Sequence, residues 1–549
     1  MKNEQSKIIT NRRKIPYTGI FCLFFICSTA FGMMQNPPKS PAKKAPTKIT
    51  LEYADTLSPG KANNSKVYVV HGNVSFRHND AYLFCDSAYL YDQTNILEAF
   101  DNVRIEQGDS IFIYGDYLIY EGNKNLAKMR YNVRMEHGYM TLFTDSLNYD
   151  RNTNIGYYLE GGMLVDTLNE LTSVYGQYSP DTKLAFFKKN VKLVNPLPPE
   201  KPQFKLTSDT LKYHVETKIA TILGPSVIES DSGTIYSSRG WYNTETDISM
   251  LYNRSLVYNK EKTQSVTADS LFYDKKEGLC KAYGNMFMND TLKKVILTGN
   301  YGYMEQLNNF AFATDSAQMI EYSQADTLYL HADTLMMKTI GEEREMKAYY
   351  GVRIFRNDMQ AVCDSLQFNT KDSTLRLYKE PILWNTGYQI TGDTIVIFFN
   401  DSTIDKAHII NYSFATEKVD TTYYNQLKGK NMKIYFKDSE VTFIDVNGNA
   451  ETIFYPSEDD GSFIGMNKTE SSYFTIQVKD RKPERMVLWP APKGMTLPLP
   501  DLNPENKFLK GFIDFEYLRP TNRFDIFVQK KRKAEDAAPV KAKRRQQAD

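Results

Sequence analysis

A short motif recurs through this 549-residue chain at a nearly fixed interval: a small residue, then Asp, then Ser or Thr, then apolar–x–apolar. Its anchors are Asp86, Asp116, Asp145, Gly176, Asp209, Gly240, Asp269, Asn300, Asp333, Asp364, Asp393 and Asn431. The interval is 29 to 33 residues as far as Asp393 and 38 for the last step. Such a period over most of a chain specifies repeated units stacked on one another, not unrelated domains in series.

A second landmark leads into another strand of each unit: Gly72-Asn73-Val74, Asp101-Asn102-Val103, Tyr131-Asn132-Val133, Lys189-Asn190-Val191, Gly284-Asn285-Met286 and Tyr350-Gly351-Val352. Strand-like sequence flanks both landmarks, so one unit reads as two long strands joined by a polar turn, each bent at its middle. Gly, Asn and Asp tolerate the backbone of a bulge, and a short Asp or Asn side chain can bond amides that the bend leaves unpaired. That assigns Asp86, Asp116, Asp145, Asp209, Asp269, Asp364 and Asp393 to structural corners.

Beyond the corners, apolar residues alternate with polar ones. At +2 and +4 from the anchor stand Leu118 and Tyr120, Leu147 and Tyr149, Leu211 and Tyr213, Leu271 and Tyr273, Leu366 and Phe368. The other strand supplies Val74 and Phe76, Val103 and Ile105, Val133 and Met135, Val191 and Leu193, Val352 and Ile354. Period two puts each set on one face of its strand. The 38 Tyr and 31 Phe favour strands over helices. The fold expected is all-β: an elongated, V-shaped solenoid of repeated bent antiparallel strands with its apolar side inside. Twelve anchored units at two rungs each, about 4.8 Å apart, give a length of about 115 Å. A groove and a packed core use the same alternation, so the pattern leaves both open for any one residue.

The N-terminus reads as a cleavable signal peptide over residues 1–32, with a basic stretch at Lys7, Arg12, Arg13 and Lys14, an apolar run holding Phe21 and Phe24, and small residues at Ala30 and Gly32. Phe21 and Ile26 precede Cys22 and Cys27 where a lipoprotein signal needs small residues. Removing residues 1–32 takes the formal net charge from +1 to −3, and with a tail (530–549) of +5 the middle is near −8, which argues against nucleic acid. Cys85, Cys280 and Cys363 then remain, an odd count that argues against a disulfide framework and suits small buried residues.

With the units around Gly72-Asn73-Val74, Cys85-Asp86-Ser87, Ala268-Asp269-Ser270-Leu271-Phe272-Tyr273 and Cys363-Asp364-Ser365-Leu366 in view, the chain resembles the OstA/LptA-like lipopolysaccharide-transport family, in the long form found in Bacteroidota. The likeness runs over about residues 51–455. It implies a V-shaped β-jellyroll, or β-taco, that shelters lipid A acyl chains and pairs edge strands with other jellyroll components of the export machinery at the inner and outer membranes. The chain has more repeats than a short bridge of that family, and no membrane-barrel domain is apparent.

Recurrence of the aspartates at every corner suits structure and not a single active site. His71, His78, His137, His214, His331 and His408 lack ligand spacing. Neither a phosphate loop nor a nucleophile with a paired base stands out, so the reading is non-enzymatic, with no cofactor and no metal. The expected organisation is a Pro/Lys-rich linker at 33–50, the repeat domain at 51–455, a further unit at 456–489, a Pro-rich linker and aromatic cap at 490–528, and a disordered basic tail at 529–549. The expected function is periplasmic carriage of lipopolysaccharide, in association with the outer membrane, along a groove lined by the alternating residues named above other than Val191 and Leu193. The alternative is a structural or polysaccharide-binding surface solenoid, which would turn a row of aromatic residues outwards.

Overall fold

The computed structural model describes residues 47–533, apart from 63–64, 196–203, 324, 386, 401–402, 438–439, 459–460 and 481. The expected signal peptide, linker residues 33–46 and tail residues 534–549 lie outside the described residues. Regular structure among the described residues is strand, with four single turns of 3-10 helix.

Ser65–His78, Ala81–Tyr91, Ile96–Gln107, Ile111–Glu121, Leu126–His137 and Met140–Asp150 form an antiparallel meander, each strand paired with the next. Every strand slips register at its middle. His71 faces Ser87 and Val74 faces Cys85, so Gly72 and Asn73 together oppose Asp86 alone. Asp101 and Asn102 oppose Asp116, Tyr131 and Asn132 oppose Asp145, and Lys189 and Asn190 oppose Asp209 in the same way. Two residues against one is a bulge, which bends the strand and divides the ladder into two arms meeting at a crease. Residues 74–78, 103–107 and 133–137 belong to the first arm; residues 65–71, 96–100 and 126–130 belong to the second.

The left-handed backbone sits on the Asn landmark and not on the aspartates. Asn73, Asn102, Asn132, Asn190 and Asn285 have φ of 46° to 53°, whereas none of the seven corner aspartates has positive φ. The aspartate strand stays extended, and its carboxylate accepts from the side-chain amide of the next bulge's Asn. Asn102 donates to Asp86 (2.7 Å), Asn132 to Asp116 (2.6 Å) and Asn285 to Asp269 (2.8 Å), always sixteen residues apart. Asp209 instead accepts from Thr210, and Asp364 from Ser365 and Lys379.

One hydrophobic cluster runs between the arms from Ile49 to Phe474. The ladder continues through Met466–Lys479, Lys482–Trp489 and Lys493–Leu497. The last of these is a strand inside the stretch expected to be a linker; its prolines, Pro492 and Pro498, flank it and leave the ladder amides intact.

The aromatic segment expected as a cap lies elsewhere. It runs back along the outer face of the first arm, held by three buried glutamines. Gln426 donates to Lys507 O (2.9 Å) and accepts from Leu509 N (2.8 Å), and Gln389 does the same for Ile513 O (2.9 Å) and Phe515 N (2.8 Å). Gln360 accepts from Arg519 (2.7 Å), Arg353 donates to Ile526 O, and the Phe527 ring packs tilted against His331. Alternation explains the geometry, since the neighbours Ala361, Ile390 and Leu427 point inward to the core.

Candidate functional site

The space between the arms changes character along the ladder. In the first part, polar groups at the arm tips bond across the mouth of the V. His78 Nδ1 lies 2.6 Å from the Tyr120 hydroxyl, which also accepts from Arg151 (2.6 Å). The His78 Nε2–H donates to the Thr47 carbonyl (3.0 Å), which leaves Nδ1 to accept the tyrosine proton. Arg151 is paired with Asp80, Gln107 donates to Asn154 (3.1 Å), and His137 meets Tyr178 (2.9 Å). Further on, Asp166 accepts from Tyr213 (2.6 Å) and pairs with Lys218 (3.0 Å), while Asn169 donates to Tyr213 and Thr244 (2.8 Å each). Asp231 with Lys275 (2.9 Å) is the last of these clips.

Burial governs the titration of the clips. It pushes His78 and His137 below the usual imidazole range, helped by Arg151 and Lys183 respectively. Tyr213 is driven up by burial and then by the neighbouring Asp166 carboxylate.

Twelve of the expected groove residues therefore fill a clipped, closed sandwich. Val74, Phe76, Val103, Ile105, Leu118, Tyr120, Val133, Met135, Leu147, Tyr149, Leu211 and Tyr213 are each 0–1% exposed. The tyrosines at +4 do not line an opening: Tyr120 and Tyr213 reach across it, and Tyr149 lies behind Asn154.

At the same register the next units carry Met304 and Met337. Among the described residues, no hydrogen bond or ion pair joins the first-arm tips between residues 259 and 328 to the second-arm tips at 305–310 and 340–343. Ala282, Met286, Ala313, Ala317, Ala332 and Ala348 close the crease. Small side chains let the two sheets approach there: a Cβ on Gly302 would come within 3.2 Å of Met286. Away from the crease the walls are apolar and half-buried, with Val257, Val266, Met288, Leu297, Met319 and Leu328 facing Cys280, Met304, Ala311 and Met346, and Met337 is 37% exposed. Unbranched methionines fit irregular apolar partners.

Further along the ladder a cavity of about 710 Å³ lies between the same two arms, lined by Leu383, Ile397, Ala407, Leu427, Ile434 and Phe474 among others. None of the eighteen expected groove residues lines that cavity. Leu271 lies at the buried crease and Tyr273 at the last clip, its hydroxyl meeting Ser232 across the mouth, while Val352, Ile354 and Leu366 belong to the buried crease of the open section and Phe368 is half-buried in its wall. The methionine walls were missed, although Met replacing Tyr at +4 is visible in the sequence. The three thiols are free, and burial pushes Cys280 up to about 11 and Cys85 and Cys363 to about 12.

The outer faces carry aromatic residues as well. Tyr283, Tyr301, Tyr303, Phe310 and Phe312 form a continuous row on the second arm, with ring centroids 5.2–6.3 Å apart.

No curated protein matches the chain. Among solved structures, the chain is similar to the Pseudomonas aeruginosa protein LptH, described as the LptA homologous periplasmic component of the conserved lipopolysaccharide transport device. Identity is 16%, covering 26% of this chain and 80% of that one, with a TM-score of 0.16. The family described as OstA-like protein matches residues 46–198, a clipped stretch with bulged strands and aspartate corners, and over those residues the chain is similar to that family.

Proposed function

We propose that this chain is a non-enzymatic periplasmic carrier that holds the acyl chains of lipopolysaccharide in the open trough between residues 256 and 355 and in the cavity beyond it. The observation that carries the reading is the switch from a clipped aromatic core to an unclipped methionine-walled trough within one uninterrupted ladder. Half-buried apolar walls offer hydrophobic burial to an apolar guest at about 25 cal/mol per Å² covered. The OstA-like segment supports lipopolysaccharide as the guest. Residues 74–213 of the expected groove act in this reading as the packed stem that holds the arms in register.

Partners of similar fold would add strands at the free edges. Among the described residues, Lys482–Trp489 and Lys493–Leu497 pair on one side only, with Met466–Lys479, and expose Met486, Val487, Trp489 and Met495. A second reading, glycan binding, is favoured by the outward aromatic row, although cross-strand packing accounts for the same row.

A photo-crosslinking residue decides between them. In cells, one at Met304 is expected to capture lipopolysaccharide and one at Ile105 is not. Capture at Phe312 with none at Met304 would sink the trough and favour the glycan face.

A further inference from the structure

We infer that the trough begins at a lysine rim that recognises the phosphate groups of an anionic amphiphile, an inference that rests on the trough as the acyl site. The rim is local. Lys260 and Lys262 occupy one first-arm tip, Lys293 and Lys294 the next, and Lys275 and Lys276 the second-arm tip opposite. Adjacent first-arm tips are bonded to each other, Thr291 N donating to Thr263 O (2.9 Å). Lys275 forms the last clip, with Asp231, so the six lysines surround the place where the mouth opens.

Tips of the closed section have a different composition. Their turns read HND at 78–80, QGD at 107–109, VDTLNE at 165–170 and NTETD at 243–247, neutral or acidic in sum. Beyond the rim the sign reverses again, with EQLNN at 305–309 and EYSQAD at 321–326. Paired lysines therefore coincide with the entrance and with no other tip named here.

Lys260, Lys262, Lys276, Lys293 and Lys294 are exposed at those tips. Lys293 reaches Asp290 at 3.5 Å and Lys276 bonds the Glu245 carbonyl, contacts that keep their stems beside the mouth. An ammonium group is a compact point charge suited to phosphate, and several at one mouth raise the local concentration of anions. An amphiphile lying with its acyl chains against Val257, Val266 and Met288 would bring its headgroup to these tips.

The test uses the full chain and its quadruple variant K260Q/K262Q/K293Q/K294Q, titrated with lipopolysaccharide, with enzymatically dephosphorylated lipopolysaccharide and with inorganic phosphate. For the phosphorylated lipid, the variant is expected to bind roughly tenfold more weakly at low salt, with a smaller salt dependence, because each exposed charge pair is worth only a fraction of that alone. The dephosphorylated lipid is expected to bind both proteins equally, and inorganic phosphate is expected to compete only weakly. Equal binding of the phosphorylated lipid by both proteins overturns the rim while leaving the trough standing. Failure of either protein to bind either lipid overturns the trough itself. Phosphate binding as tight as lipid binding would assign the rim to a free anion.

Discussion

Replacing Asp166 by Leu removes the centre of the most buried clip. Its side chain is 0% exposed and accepts from four donors: the Tyr213 hydroxyl (2.6 Å), Lys218 (3.0 Å), and the backbone amides of Leu168 (2.8 Å) and Asn169 (2.9 Å). Lys218, with 11% side-chain exposure, would be left as an unpaired, nearly buried cation. Breaking a buried pair by deleting one partner costs about 3–5 kcal/mol, and two amides without acceptors cost about 1–3 kcal/mol each if they find no water. The terms overlap because one relaxation serves all four donors, so the expected loss is about 4 kcal/mol. Cutting the tyrosine hydroxyl alone, in Tyr213→Phe, should cost about 1 kcal/mol, since Asp166 keeps its other three donors. The assay is hydrogen exchange resolved by peptide, with urea unfolding alongside. Protection should fall in strands 162–252 and hold in strands 431–479, because rungs interact chiefly with their neighbours. A loss under about 1 kcal/mol, or an equal loss at both ends of the ladder, would refute the view of the clips as local cross-braces.

Four further outcomes follow from the same geometry. His78 and His137 are held neutral by burial, so the unfolded chain takes up protons first, near pH 6.5; stability should fall as pH drops below that value and level off beneath the lowered folded pKa, and H78Q with H137Q should flatten this slope in thermal melts. Asp269→Asn should be nearly silent because it keeps an acceptor for Asn285, whereas Asp269→Val should lose about 1 kcal/mol locally; an Asn variant that melts normally yet abolishes export would mean the carboxylate does chemistry. Gln389→Ala strips both bonds from Ile513 and Phe515 and should make residues 507–533 sensitive to protease while the ladder stays resistant; unchanged cleavage would contradict the clamp. The Cys280 thiol, pushed up to about 11, should be alkylated slowly at pH 8, with roughly one thiolate in a thousand, and guest lipid should slow it further.

Much of the fold was legible because the repeat is written in residues with few alternatives. Asn102, Asn132 and Asn285 adopt positive φ, which few side chains other than Asn tolerate, and each answers an aspartate sixteen residues earlier. Alternation found the inward residues, and Val103, Leu147 and Leu211 are buried as their register requires. It could not report the distance between two facing walls, which depends on what bridges the tips. Tyr120 at +4 closes the mouth through its hydroxyl, whereas Met304 at the same register has nothing to bond with. Both are large and apolar by period-two logic, so pattern alone gave them one meaning. The glutamine clamps escaped notice for another reason: Gln360, Gln389 and Gln426 stand 29 and 37 residues apart, and their partners lie 81 to 159 residues downstream.

Those long separations bear on how the chain reaches its native state. Rungs of the ladder form between neighbours joined by short turns, contacts that close quickly and can follow the chain as it emerges. Residues 507–533 make their contacts with Arg353, Gln360, Gln389 and Gln426 only after all of those rungs have been made. Until then the outer face around Ile382 and Trp384, later covered by Phe515 and Leu518, is bare. A chain stopped short of residue 507 would thus carry a finished ladder and an unfinished surface, exposing apolar groups and unpaired amides to proteases and to other chains. A segment made well after the rungs it covers thus doubles as the closing of that surface.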